Sequence, residues 1–217
     1  MALTHPAFVH HRIDCAPRAW SAVAQDIIAL KPWLAREGGI LYGVWRSQIG
    51  EPRDTLNIIT SWSLPASGVG ISEKLNAISQ IRGYEMTSME PTLRPASDAP
   101  PVRQGNFAFR WQETPAERWQ EFLDLCVAAW PGFEGAYDSQ VVGLWKLRDS
   151  GTPTVRSLLL TRRPNLAMWE RSKIPQGAAE AAVRDKLNQR YDLCTSTVVY
   201  TTTLLTADDR ADTERWT

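Results

Sequence analysis

The chain repeats itself at a spacing of a hundred residues. Leu41-Tyr42-Gly43-Val44-Trp45-Arg46 recurs as Val141-Val142-Gly143-Leu144-Trp145-Lys146, an offset of 100 (143 minus 43) that keeps glycine, tryptophan and a cation in register. So short a match would mean little alone, but the segments before it repeat as well. Trp119, Phe122, Leu123, Cys126, Val127 and Trp130 fall at i, i+3, i+4, i+7, i+8 and i+11, the stripe of an amphipathic helix. Trp20, Val23, Ala24, Ile27 and Ile28 carry the same stripe 99 residues earlier (119 minus 20). A proline follows each stripe, Pro32 and Pro131, and is expected to stop the helix there. A repeat of this size restricts the fold more than any other feature, because each copy has to build the same supersecondary unit.

The order of elements follows from the periodicity around the stripes. Strands at Phe8 to Ile13 and Phe107 to Trp111 precede the helices, and the Gly-x-Trp strands follow them. Turns at 50–54 and 149–153, rich in Gly, Pro, Asp and Ser, lead into the apolar runs Leu56 to Trp62 and Val155 to Leu160, which makes a hairpin in each half. A further helix is expected over Ser67 to Arg82, with Ile71, Leu75, Ile78 and Arg82 on one side, and its counterpart carries Val183, Leu187 and Tyr191. Thr114-Pro115-Ala116-Glu117 has the composition of a capping box. A last strand closes each half, Cys194 to Thr206 in the second. Both halves then read β-α-β-β-α-β, the ferredoxin-like order. The expected fold class is α+β, with two tandem ferredoxin-like domains at 1–98 and 103–207 and a flexible tail at 208–217. Pro91, Pro95, Pro100 and Pro101 mark an extended linker, and an insertion from Pro164 to Gly177 is expected to form an extra short helix or a lid.

Composition removes several classes of function. Acidic and basic residues balance at 24 each, so no net positive field draws a nucleic acid, although a local patch stays open. No segment reaches the roughly 18 apolar residues of a membrane span. The N-terminus has neither a basic nor an apolar leader region, and a cytoplasmic location is expected. Cys15, Cys126 and Cys194 are far apart and read as reduced thiols, with no paired spacing for a metal.

Gly39 to Trp45, Ile49-Gly50, Leu56 to Trp62 and Ser88-Met89-Glu90-Pro91-Thr92-Leu93-Arg94-Pro95 together resemble the NIPSNAP family, over roughly residues 8 to 95. The second half keeps the Gly-x-Trp strand and loses the Met-Glu to Leu-Arg-Pro ending. The resemblance implies the dimeric α/β-barrel architecture, which a tandem chain could close within itself. That superfamily includes cofactor-independent monooxygenases, isomerases, cyclases of polyketide-like substrates and haem-binding enzymes. NIPSNAP proteins themselves bring no agreed catalytic set.

The candidate catalytic residues are His10, His11, Arg46 and Glu90, and the candidate substrate-binding residues are Tyr42, Trp45, Trp62, Trp111, Trp145 and Lys146. Neighbouring strand residues point to opposite faces, so at most one of His10 and His11 looks into a given cavity; either is a base or a hydrogen-bonded structural imidazole. Arg46 and Lys146 either hold a carboxylate or enolate or solvate a strand edge. Trp45 and Trp145 share a face with Gly43 and Gly143, where the missing side chain leaves room for a ligand slot or for helix packing, while Tyr42 is expected on the face opposite Trp45. Glu90 acts as an acid or base if buried. No metal site and no cofactor are expected: the three histidines lack helical H-x-x-x-H spacing, and no phosphate-binding or nucleophile-elbow motif occurs. The reading is a small-molecule enzyme performing cofactor-free oxygenation, isomerisation or cyclisation of a hydrophobic, aromatic or polyketide-like metabolite, with the site in the first half. The alternative is a non-catalytic NIPSNAP-like binding or scaffold protein. A homodimer is compatible with either.

Overall fold

A computed structural model describes residues 3–64 and 70–209. The first half of the chain runs β1 (Ala7–Cys15), α1 (Trp20–Ile28), α2 (Lys31–Arg36), β2 (Gly39–Ile49), β3 (Thr55–Trp62), α3 (Ile71–Asn76) and β4 (Ile81–Arg94). The second runs β5 (Asn106–Pro115), a 3-10 turn at Ala116–Arg118, α4 (Trp119–Tyr137), β6 (Gln140–Leu147), β7 (Thr154–Arg163), α5 (Leu166–Arg171), α6 (Ala178–Asp192) and β8 (Ser196–Leu204). Among the described residues the fold is mixed α+β with eight antiparallel strands. It forms two compact units, one drawn from Met1–Glu90, Ala96–Gln104 and Tyr200–Thr217, the other from Pro91–Pro95 and Gly105–Val199. The end of β4 therefore belongs to the second unit and the end of β8 to the first.

In the first unit the strands lie in the order β4-β1-β3-β2-β8. His10 stands opposite Ile59 and Thr87, and Trp45 opposite Asn57 and Leu204. One face of this sheet meets the helices: Ile13, Leu41, Val44, Leu56, Ile58 and Trp62 pack on Trp20, Val23 and Ile27 of α1, on Leu34 of α2 and on Ile71 and Leu75 of α3. The stripe read from the sequence is thus the buried side of α1. Pro32 does more than end that helix, because it occupies the first turn of α2, where a missing N–H costs no hydrogen bond.

A register shift in β2 between Leu41 and Gly43 makes Tyr42 a bulge residue. Leu41 and Val44 both face the helices as a result, and Tyr42 turns to the face that carries Gly43 and Trp45, edge-on to Phe8 with ring centroids 5.4 Å apart. The expectation that Tyr42 and Trp45 lie on opposite faces is corrected by that one extra residue.

The predicted helix over Ser67 to Arg82 is also shorter than expected. Among the described residues it covers only Ile71–Asn76, because β4 pairs with β1 from Ile81 onward and takes Arg82 into the sheet; Ser67 lies outside the described residues. The stretch from Pro91 to Arg94 is strand, not linker: the Thr92 hydroxyl donates to the Leu144 carbonyl, and Arg94 donates to both carboxylate oxygens of Glu134. The tail beyond Asp209, Trp216 included, lies outside the described residues.

The second unit places β7 between β5 and β6, with β8 beside β5 and β4 beside β6. Phe122, Cys126, Trp130, Phe133 and Tyr137 of α4 bury against Val141, Leu144 and Leu159 of the sheet. Pro131 does not stop this helix. It sits on the exposed side near exposed Val127, where water can serve the carbonyl it leaves without a donor, and Phe133 and Tyr137 prolong the buried stripe. Gly132 lets α6 approach closely, since a Cβ there would come 2.4 Å from Val183. Thr114 makes no capping box: β5 stays paired with β7 through Pro115, so Thr114 is held in the ladder, fully buried near Cys194. The insertion holds the short helix α5, started by the Asn165 side chain accepting from the Met168 N–H.

Candidate functional site: a cationic cavity and a buried polar network

On the face of the first unit's sheet that points away from the helices lies a chain of polar side chains. Asn57 Nδ2 donates to Glu51 Oε2 at 2.7 Å, and Arg12 Nε donates to Glu51 Oε1 at 3.1 Å. That fixes Asn57 Oδ1 as the acceptor, which the Tyr200 hydroxyl reaches at 3.0 Å and His10 Nε2 at 2.8 Å. His10 therefore carries its proton on Nε2. Burial, with the Arg12 charge adding to it against the Asn57 bond, lowers its pKa to about 4, so the ring is neutral at pH 7.

His11 points to the opposite, helix-facing side, where its Nε2 lies 3.1 Å from Thr60 Oγ1, the oxygen that also accepts from Trp62 Nε1. Its buried Nδ1 has no partner among the described residues. Burial and the neighbouring His10 lower the pKa of His11 to about 3.

Each of the other sequence candidates has a definite place. Arg46 lies on the helix side with its guanidinium carbon 4.0 Å from the centre of the Trp20 ring. Trp62 is fully buried against Trp33, centroids 6.4 Å apart. Tyr42 and Trp45 share the face of His10, and burial raises the Tyr42 hydroxyl pKa. Glu90 is half-buried in β4, Trp111 half-buried opposite Leu158, and Lys146 partly exposed opposite Ser157. The room beside Gly43 and Gly143 is filled by the chain itself. A Cβ would lie 2.3 Å from the Trp45 ring at Gly43 and 2.1 Å from the Trp145 ring at Gly143.

A partly open cavity lies elsewhere, in the second unit, and none of the ten candidates lines it. It has a volume of about 360 Å³ and lies between the sheet and helices α4 and α6, with Ser172 and Lys173 at one side. Trp130, Phe133, Val141, Leu159 and Leu187 form its apolar wall. Arg110 of β5, Arg163 of β7, Arg184 and Arg190 of α6, and Lys173 also line it, and among the described residues no aspartate or glutamate does.

Arg163 and Arg190 are only 8% and 6% exposed. Arg163 meets neutral groups, donating to Ser172 and Thr161 hydroxyls at 3.3 Å and lying over the Phe133 ring. Arg190 donates to Cys126 Sγ, and its Nε has no acceptor among the described residues. Burial, then repulsion by the neighbouring guanidinium groups, lowers the pKa of Arg163 to about 9 and that of Arg110 to about 10. Both stay charged at pH 7. Holding a charge in a protein interior with no counter-ion costs several kcal/mol, so this cluster is set against stability.

These arginines were not singled out from the sequence, although a signal existed. Arg110 interrupts an apolar strand, and Arg190 falls three residues after Leu187 on the stripe that α6 turns inward. Asn57 and Glu51 were missed too; Asn57 is the one amide in the apolar run Leu56 to Trp62.

Among the described residues no group of three or more His, Cys, Asp or Glu could hold a metal ion, and no helix is long and apolar enough to cross a membrane. Of the residue types that bind haem iron, histidine, cysteine and methionine are absent from the cavity lining among the described residues and Tyr191 is present, while His5, His10 and His11 all belong to the first unit.

Comparison with solved structures finds a likeness of fold to several proteins, all at low sequence identity. A candidate monooxygenase of Lactobacillus acidophilus NCFM matches with a TM-score of 0.58 at 11% identity, over 96% of this chain and 100% of that one. An anthrone oxidase-like protein matches with a TM-score of 0.59 at 14% identity, over 93% and 92%. An arginine-to-alanine mutant of chlorite dismutase from Candidatus Nitrospira defluvii matches with a TM-score of 0.58 at 6% identity, over 92% and 91%. No protein-family model and no curated protein sequence matches the chain.

Proposed function

We propose that the protein is a monooxygenase-like enzyme that oxidises a hydrophobic, aromatic or polyketide-like metabolite without a cofactor, in the cavity of the second unit. The observation that carries this is the cavity itself, about 360 Å³ with aromatic and aliphatic residues on part of a wall that is otherwise polar and cationic, above the roughly 300 Å³ at which ligand sites begin. The neighbours described as a candidate monooxygenase and an anthrone oxidase-like protein support the same class of chemistry. The two ferredoxin-like halves, 1–98 and 103–207, and the NIPSNAP-like signature belong to this reading as a tandem form of that fold.

The chemistry suited to this wall is oxidation of an activated methylene by dioxygen to a ketone and water. One oxygen atom becomes the ketone oxygen, the other leaves as water with the two methylene hydrogens, and the substrate supplies all four electrons. Guanidinium groups beside the substrate favour its enolate or phenolate, the electron-rich form that reacts with oxygen. In this reading His10, His11 and Arg46 hold the first unit together, and their substitution costs stability before turnover.

The test is oxygen uptake by the full chain with anthrone in air-saturated buffer, with the ketone product followed by mass. Uptake matched one to one by product, above the uncatalysed rate, is the expected result. Binding without uptake favours a second reading, a non-catalytic binding protein, which the lack of any histidine or carboxylate on the cavity wall supports.

A further inference from the structure

We propose that the second unit's cavity binds an amphipathic organic anion, an apolar ring-sized body whose carboxylate or phosphate head group is held by Arg110, Arg163 and Arg190. The inference rests on the cavity assigned above and narrows its ligand. The three arginines come from three separate elements, β5, β7 and α6, so their convergence is not the solvated face of one helix. Long cationic side chains ordinarily reach water or pair with an acid. Here two of them are more than nine-tenths buried, and none of the cavity's arginines has an ion pair among the described residues.

Acids were not in short supply, since the chain has as many as it has cations. Two of the three acids of α6 are turned to other partners: Glu180 accepts from Arg171, and Asp185 from Gln189. The unmet hydrogen-bonding capacity of the arginines and of the indole is all of one kind. Arg190 Nε–H and the Trp130 Nε1–H are buried donors without acceptors among the described residues. A ligand rich in acceptor oxygens completes such a wall, and guanidinium forks match carboxylate and phosphate geometry. Trp130, Phe133 and Leu159 require the rest of that ligand to be apolar, since a bare inorganic ion would leave them facing empty space or water.

Calorimetric titration of the full chain with 2-naphthoate, 2-naphthyl phosphate, the neutral 2-naphthamide and inorganic phosphate tests this. One or both organic anions should bind at least about tenfold more tightly than the amide, the worth of one charge-assisted hydrogen bond, and more tightly than inorganic phosphate; the tighter of the two names the head group. Arg110→Gln should remove most of that preference while the unliganded Tm stays level or rises, because a repelling charge is lost. If naphthoate, naphthyl phosphate and naphthamide bind alike, the ligand is not an anion although the cavity still takes a small molecule. If none of the four binds, the cavity assignment fails with it. Inorganic phosphate binding as tightly as the organic anions would overturn the apolar half, and a lowered Tm in Arg110→Gln would make the cations structural. The wild-type comparison decides even if the variant does not fold.

Discussion

Gly43 and Gly143 have no side chain because their own tryptophans, two residues on, lie across them. Alanine at either position would drive a Cβ into the indole, 2.3 Å and 2.1 Å away, in a core with no room to shift. We expect Gly43→Ala and Gly143→Ala each to cost about 1–3 kcal/mol, read from urea unfolding midpoints, the cost of overpacking. The buried histidines set an acid limit. His10 and His11 have folded pKa values of about 4 and about 3, below the usual 6.5, so the unfolded chain binds protons first as the pH falls. Stability is fully present above pH 6.5 and falls with pH down to about 3 to 4, by up to about 1.4 kcal/mol per pH unit for each ring. His11→Gln should flatten that fall between pH 6.5 and 4 in urea titrations; an unchanged slope would deny the ring its part. That glycine and tryptophan share a face was legible in the sequence, because both belong to one strand at spacing two; that the indole itself fills the gap, and not a helix or a ligand, was not. The hydrogen-bond partners of the histidines were not, since Asn57 is 47 residues from His10 (57 minus 10) and meets it only through strand pairing.

At the scale of elements, the amphipathic stripes predicted α1 and α4 and which side each buries, whereas punctuation misled. Pro131 reads as a stop, yet α4 runs to Tyr137 because two more aromatic residues gain burial and the proline faces solvent. Local propensity lost there to tertiary packing. Gly132 is the hinge of that packing. In an isolated helix Gly132→Ala would add about 1 kcal/mol of helix stability, but here it should destabilise, because the new Cβ meets Val183 at 2.4 Å. Val183→Ala in the same chain should restore most of the loss. The non-additivity of the pair, measured as a double-mutant cycle by thermal unfolding, checks the contact; additive effects would rule it out. The bulge at Tyr42 belongs to the same scale. Gly43 inside the strand is its one local sign, and the same shift recurs before Gly143; the bulge decides which face the tyrosine occupies.

At the scale of the molecule, the halves read from the sequence and the compact units are different divisions. Tyr200–Leu204, from the end of the chain, complete the first unit by pairing with β2 from Trp45 to Ile49 and by giving Asn57 the Tyr200 hydroxyl. A fragment of residues 1–98 lacks that strand end and leaves the β2 edge unpaired, so it should self-associate in size-exclusion chromatography. A stable, soluble monomer would contradict this. By itself the sequence determined the repeat, the order of its helices and strands, and most of the side that each helix buries, because burial of a helix or strand is written as a local period; Val127 of the α4 stripe is exposed instead. Only the tertiary structure decided where strand ends are shared, and that Arg110, Arg163 and Arg190 meet across eighty residues of chain (190 minus 110) in one cavity. Such convergence depends on register and helix packing, and it leaves no period in the sequence to be read.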